Sequence, residues 1–448
     1  MPRPTSHVWT PLLVCALLRV ALGSIARSGG LWGDEAAYLR HAIAYAETGL
    51  YVGHWPPLYV WFLGTCVRLF GDHGEGVARL LQVGMAVWTC GWVGWMAGRA
   101  FGRRAGLCAS WMFALYLPLA ALGHRLLSET LYLALLVPAV ALLVEVFAGR
   151  VWMAWAAPAG VLFGLALLTR DVGLPTLGAL VVAIPIALRP RGADALRRAG
   201  LVAAAFALWA AAVVTPWSVE RGRLRPDEGP SGGTAVANLR QGLTPGHDSF
   251  ELRRLGPRAN GPPDGLRMRL LEVPDSDAVR RARGGNLADV LALVRDEPTY
   301  VARVRVVRWA DLVSPLSPAL TGWYSRIYAR DGVPDTLRWL LIALAVACPV
   351  GLATAATVAI LRVRAPRALL VPSLAVFAVT VATGLLVAQS RFRAPALPFA
   401  IVLVSGLAAA RAPAPQGRAP WAIAFGASLV GGWAVAFRPL EAALLESW

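Results

Sequence analysis

The sequence predicts an all-α polytopic membrane protein of about eleven transmembrane helices, with outer juxtamembrane helices and a small outer-face domain between spans seven and eight. Three observations predict it. Of 448 residues, 57% are apolar and 15% charged, with a mean hydropathy of +0.56, whereas soluble domains carry about 25% charge. Apolar runs near the roughly 20 residues that span a bilayer recur from residue 8 to residue 437, with one long polar interruption. The arginines gather in short loops on alternate sides of these runs. The net charge of +17 therefore reads as membrane topology, and a nucleic-acid partner is discounted. A soluble enzyme with a single anchor is excluded by the number of runs.

The first run, 8–26, follows Arg3 and is read as a retained span rather than a removable leader, because a span-rich chain needs no separate leader. The later spans read as 76–97, 105–122, 130–148, 154–169, 172–188, 199–217, 337–361, 368–388, 394–410 and 420–437. With the N-terminus cytoplasmic, the inside loops carry Arg99, Arg103 and Arg104, then Arg150, Arg189 to Arg198, Arg362 to Arg367, and Arg411 with Arg418. The opposite short loops hold Arg125, Arg170, Arg391 and Arg393. Segment 56–70 is apolar and aromatic, but counting it as a span would invert every later loop; it reads as an interfacial helix on the outer surface.

The chain thus divides into an N-terminal membrane module (1–217) containing a first outer loop (27–75), an outer-face domain or long loop (218–335), and C-terminal membrane helices (336–448). Within the outer region, 223–265 is loop-like, while 278–295 and 298–313 carry helical patterning. The competing reading there is a solvated loop with little order of its own. No internal repeat is visible. Every lysine-type chemistry is excluded, since the chain contains no lysine. Cys15, Cys66, Cys90, Cys108 and Cys348 lack disulfide or zinc spacing and read as small packing residues.

Ionisable groups in or beside spans are costly and usually have a task. Asp34 and Glu35 begin a predicted helix over 36–48, just beyond the first span. Taken alone, the pair reads as a helix cap. Glu129 follows Ser128 at the start of another span and invites the same reading. Arg170, Arg391 and Arg393 stand at outer span ends, where a lone arginine would merely anchor. Arg19 and Glu145, deeper in their helices, are expected to pair or to reach an interface.

The motifs are not isolated. Trp32-Gly33-Asp34-Glu35-Ala36-Ala37-Tyr38, followed by His54-Trp55-Pro56-Pro57-Leu58-Tyr59, resembles the first outer loop of glycosyltransferases that take sugars from polyprenyl phosphates, the protein O-mannosyltransferase and lipid A aminoarabinose transferase group. Gly123-His124-Arg125-Leu126-Leu127-Ser128-Glu129-Thr130 resembles its second acidic outer loop, and Leu168-Thr169-Arg170 its basic span end. Thr215-Pro216-Trp217-Ser218 with Gly232 to Leu239 resembles the entry to its outer domain, and Ser390 to Pro398 its arginine-proline stretch. Two positions depart from the pattern: Val219-Glu220-Arg221 replaces an arginine directly after Pro-Trp, and Arg170 stands where aminoarabinose transferases often use lysine.

The resemblance implies a multi-pass enzyme of the inner (plasma) membrane whose active site faces the periplasm or exterior. Its reaction moves one sugar from a polyprenyl-phosphate donor to a lipid, glycan or protein acceptor. Displacement at the anomeric carbon needs a base for the acceptor hydroxyl and fixed positive charge for the departing phosphate. Asp34 is the expected base, with Glu35 orienting or supporting it and Glu129 binding the acceptor or assisting the base. Arg170, Arg391 and Arg393 are the expected phosphate ligands. His54, Tyr38, His124 and Arg125 are expected contacts to acceptor or donor. A divalent cation, Mg or Mn, on Asp34 and Glu129 is a further expectation, without an evident third ligand. The competing classes are a secondary transporter of an anionic solute, which would show inverted repeats and broken midplane helices, and a non-catalytic envelope assembly protein.

Overall fold

The computed structural model describes residues 9–26, 31, 34–51, 53, 55–170, 173–188, 192–224, 243, 274–284, 287–313, 334–387, 393–409, 420 and 423–430. Among these the secondary structure is helical, with no strand. The N-terminal module comprises α1 (Trp9–Ala26), α2 (Asp34–Thr48), α3 (Leu58–Phe70), α4 (Gly74–Phe101), α5 (Arg103–Leu115), α6 (Leu117–Gly123), α7 (Glu129–Phe147), α8 (Ala156–Leu167), α9 (Gly173–Leu188) and α10 (Ala193–Leu224). Beyond it follow α11 (Asp277–Gly284), α12 (Leu287–Asp296), α13 (Pro298–Val313), α14 (Asp335–Arg362), α15 (Arg367–Val387) and α16 (Leu397–Ser405).

Six of the described helices are long and apolar enough to cross a membrane, or seven if the bent pair α5 and α6 counts as one span. Met153–Leu167, Gly173–Leu188 and Leu397–Ala409 are apolar but shorter. The expected total of eleven is therefore not reached on length and composition among the described residues, and half of the expected last span, 420–437, lies outside them. The loop-like stretch 223–265 also lies outside them, apart from Arg223 and Leu224, which end α10, and Leu243. The expected helices at 278–295 and 298–313 are present as α11 to α13, which share a small core of Ala278, Val279, Ala282, Val290, Leu293, Tyr300 and Val304. Segment 56–70 is helical from Leu58 and passes through a 3-10 turn, Gly71–His73, into α4.

A helix apolar on every side belongs inside a bundle, and α7 is that helix: nearly all its side chains are buried, between α4 and α8. Its two carboxylates mark its ends. Glu145 pairs with Arg99 at 2.8 Å and Arg150 at 3.0 Å, so two arginines expected in separate loops of one membrane face meet on a single acid. Glu129 starts the helix, about 24 Å away at 1.5 Å per residue.

The 60° bend between α5 and α6 follows from Pro118. Proline has no N–H to return to the Ala114 carbonyl, and Tyr116 leaves the helical region. Arg19 donates to the Ala114 carbonyl instead, at 3.4 Å, and Cys348 approaches the Leu115 carbonyl at 3.6 Å. Arg19 thus neither pairs with Glu145 nor reaches an interface: it is 1% exposed, on the buried stripe of α1 formed by Pro11, Cys15, Arg19 and Leu22. Cys15 and Cys90, distant in sequence, stand in side-chain contact across α1 and α4.

Helices α8 and α10 approach through glycine. A Cβ on Gly160 would collide with the Phe206 carbonyl, and one on Gly164 would lie 2.8 Å from the Ala210 oxygen. Small residues at such spacing let membrane helices touch backbone to backbone. Gly160→Val is therefore expected to destabilise the detergent-solubilised protein by about 1–3 kcal/mol. Gly178→Ala, where a Cβ meets nothing within 4 Å, should leave the thermal midpoint near the parent value; equal midpoints for both variants would contradict this packing.

Candidate active site

The site is built around the turn from His124 to Ser128, which joins α6 to α7. Three elements pin it. From α2, Glu35 accepts the backbone N–H of Leu126 at 2.9 Å and pairs with Arg125 at 3.0 Å. From α4, Arg79 donates to the His124 carbonyl and approaches Glu35 at 3.8 Å, while Gln82 donates to the Arg125 carbonyl at 2.6 Å. Gln82 in turn accepts from the Tyr59 hydroxyl of α3 at 2.9 Å. Glu35 is 2% exposed and Arg125 3%, so this is a buried ion pair fixed by additional hydrogen bonds.

Beside it lies a second group. Glu129 pairs with Arg170 at 2.7 Å, and Arg170 also donates to the Ser128 hydroxyl at 3.1 Å. The Tyr38 hydroxyl donates to the same oxygen at 3.2 Å. The end of α8 is fixed by the Leu58 N–H, which donates to the Leu168 carbonyl at 2.8 Å. The first loop, the 124–128 turn and the Leu168-Thr169-Arg170 segment thereby meet. Glu129 is buried, whereas Arg170 keeps 15% of its side chain exposed and remains reachable from outside.

Aromatic rings line the approach. Tyr38 packs on Trp55 with centroids 4.6 Å apart and on Tyr59 at 4.8 Å, and His41 meets Trp55 at 5.6 Å. Trp217, from the Pro-Trp motif at the end of α10, stacks on Tyr51 at 5.8 Å. That distant motif is thus brought onto the first loop. Asp34 is the first residue of α2, half-buried, one residue from the Glu35 clamp and on the side of Tyr38.

Three candidates lie elsewhere or outside the described residues. Arg393 donates to the Leu312 carbonyl at 3.3 Å and stands near Tyr116, at the α5–α6 bend. His54 and Arg391 lie outside the described residues. His124 and Arg125 are held inside on partners of their own. Burial first, then Arg79 and Arg125 beside it, push the His124 imidazole down to about 3, leaving it neutral. Burial raises the Tyr38 hydroxyl to about 12, opposed by Arg170, so Tyr38 serves as a hydrogen-bond donor. Arg79, Gln82 and Tyr59 were not anticipated: Glu75 with Arg79 reads as an ordinary i, i+4 surface pair, and they do form one at 2.8 Å. Among the described residues no three His, Cys, Asp or Glu side chains converge to hold a metal. The expected donor set remains two carboxylates, one already paired with arginine.

The fold and site define a polytopic helical protein with a charged, aromatic-lined site where helix ends meet. Residues 54–218 match the family model of the dolichyl-phosphate-mannose-protein mannosyltransferases, so the resemblance read from the motifs is borne out over that segment. No curated protein matches. Among solved structures, the oligosaccharyltransferase AglB from Archaeoglobus fulgidus, in complex with an inhibitory peptide and a dolichol-phosphate, is similar with a TM-score of 0.48 and 16% identity, over 97% of this chain and 56% of that one. ArnT from Cupriavidus metallidurans, bound to undecaprenyl phosphate, is similar with a TM-score of 0.43 and 14% identity, over 89% and 77% respectively. The chain spans little more than half the length of the archaeal enzyme.

Two outcomes test this geometry. Removing one partner of a buried, hydrogen-bonded ion pair typically costs about 3–5 kcal/mol, so Glu35→Gln should lower stability by that order in chemical denaturation, while Glu75→Gln should cost under about 1 kcal/mol. The second concerns pH. A histidine whose folded value lies below its unfolded value contributes stability above about 6.5, lost as pH falls toward 3. The parent should lose thermal midpoint across that window, and His124→Gln should show a shallower acid slope; parallel slopes would contradict a buried neutral His124.

Proposed function

We propose that the chain is a glycosyltransferase of the inner membrane that moves one sugar from a polyprenyl-phosphate donor to a hydroxyl acceptor on the outer face. The observation that carries the reading is the family match over 54–218, the segment whose turn and span ends build the site. Asp34 acts as base: it takes the proton as the acceptor oxygen attacks the anomeric carbon. The new glycosidic bond forms as the bond from that carbon to the phosphate oxygen breaks, its electron pair leaving on the phosphate. Arg170 meets the developing charge in a site shielded from water, with Arg391 as a further ligand. Glu35 holds the turn, and Tyr38 orients Ser128 beside Arg170. A long acyl chain fits between spans rich in tryptophan.

Asp34→Asn keeps the size and most capping ability of the residue but cannot accept a proton. With polyprenyl-phosphate mannose tried first among labelled donors, the variant should purify normally and lose about two to four orders of magnitude in transfer. Arg170→Gln should lose about one to three orders, as for a charge-assisted contact made in the transition state. The anomeric configuration should invert, with no sugar bound covalently to the protein. Parental transfer by Asp34→Asn would remove this residue from the mechanism, and a trapped glycosyl-enzyme would overturn direct displacement.

A further inference from the structure

Glu129 pairs with one arginine and lines a cavity together with another. Arg170 holds it from the outer side at 2.7 Å. On the inner side a small cavity, with room for about one water molecule, is lined by Arg19, Thr89, Phe113, Leu122, Glu129 and Thr130. Arg19 is anchored for that position. One guanidinium nitrogen donates to the carbonyls of Cys15 at 3.1 Å and Ala114 at 3.4 Å, and approaches the Cys15 sulfur at 2.9 Å. The group lies 5.5 Å over the Phe113 ring. Its Nε is buried without a hydrogen-bond acceptor, and no described carboxylate lies within ion-pair distance of the group. A buried cation so placed in a span is costly unless a negative charge is near.

We infer that Arg19 is the second counter-charge of Glu129, acting across the cavity through a bridging water that accepts from Arg19 Nε and donates to the Glu129 carboxylate. Thr130 and Thr89 offer that water further polar partners, as a buried water needs. The consequence, which rests on the function proposed above, is that Arg170 is exchangeable. A donor phosphate draws Arg170 from Glu129, and Arg19 keeps the carboxylate compensated while it does so. Arg19 is thus a positioning residue for the phosphate site, set one layer deeper than any motif indicates.

The other titratable and charged groups around Glu129 are Asp34, Glu35 and Tyr38 on α2, Tyr59 on α3, Arg79 on α4, Tyr132 on α7, and His124 and Arg125 in the turn. Cys15 and Cys90 flank Arg19. Helices α6, α8 and α9 carry no ionisable residue, and α15 carries Arg367 at its start. All of these are unchanged in the variants below.

The test is a double-substitution cycle on the ligand-free, full-length protein in detergent. Arg19→Gln should lower Tm by about 5 °C. Glu129→Gln in that background should recover part of the loss, because removing both partners of a buried pair is tolerated better than removing one. Arg19→Lys, which keeps the charge, should restore most of the parent Tm. If Arg19→Gln cannot be purified, recovery of the Arg19→Gln, Glu129→Gln protein supports the pairing, and failure of both overturns it. Additive losses also overturn it. Undecaprenyl phosphate binding at pH 8 should weaken about tenfold in Arg19→Gln, and parental binding would overturn the exchange. Absence of transfer by the parent itself would instead refute the proposed function while the charge pairing stood.

Discussion

The Glu35 carboxylate is the contact on which the site depends. It accepts one backbone N–H and pairs with one buried arginine of the same turn, so α2 and the start of α7 cannot move independently. A carboxylate taken out of water is tolerated when its lone pairs are filled by donors of fixed geometry. Arg125 and the Leu126 amide fill them, and Arg79 adds a second positive charge at 3.8 Å. The neighbouring Asp34 takes its place on the bundle from this clamp.

From that clamp the arrangement extends through shared partners. Ser128 receives both Tyr38 and Arg170, while Gln82 links Tyr59 to the Arg125 carbonyl. Each polar group is held by helices that pack for apolar reasons, α7 at the centre and the aromatic cluster of Tyr38, Trp55 and Tyr59 on one side. In a low-dielectric interior such networks are stiff when satisfied. Rigidity there and exposure at Arg170 are compatible with a site that is pre-organised except for one side chain able to exchange partners.

The opposite end of α7 uses the same chemistry for a different purpose. Glu145 gathers Arg99 and Arg150, tying the ends of α4 and α7 at the other limit of the bundle. The chain thereby separates two charged layers by an apolar helix about as long as a bilayer core is thick. One layer carries neighbouring carboxylates and aromatic rings suited to chemistry, and the other has the arginine excess of a topological anchor.

The sequence by itself determined the helical, membrane-spanning class, because hydropathy and run length report directly on what a bilayer accepts. The motif order grouped the acidic first loop, the Ser128-Glu129 segment and Arg170, and in the structure Tyr38 and Arg170 meet on the Ser128 hydroxyl. It did not determine which helix ends suffice to cross the membrane, because the bend at Tyr116 and the short α8, α9 and α16 depend on tertiary contacts. Nor did it reveal Arg79, Gln82 or the inward course of Arg19. A surface i, i+4 pair and a clamp on a distant turn have the same spacing in sequence. Only packing decided between them, because an arginine in a span takes whatever carbonyl a neighbouring helix leaves free, and Pro118 in another helix left one free at Ala114.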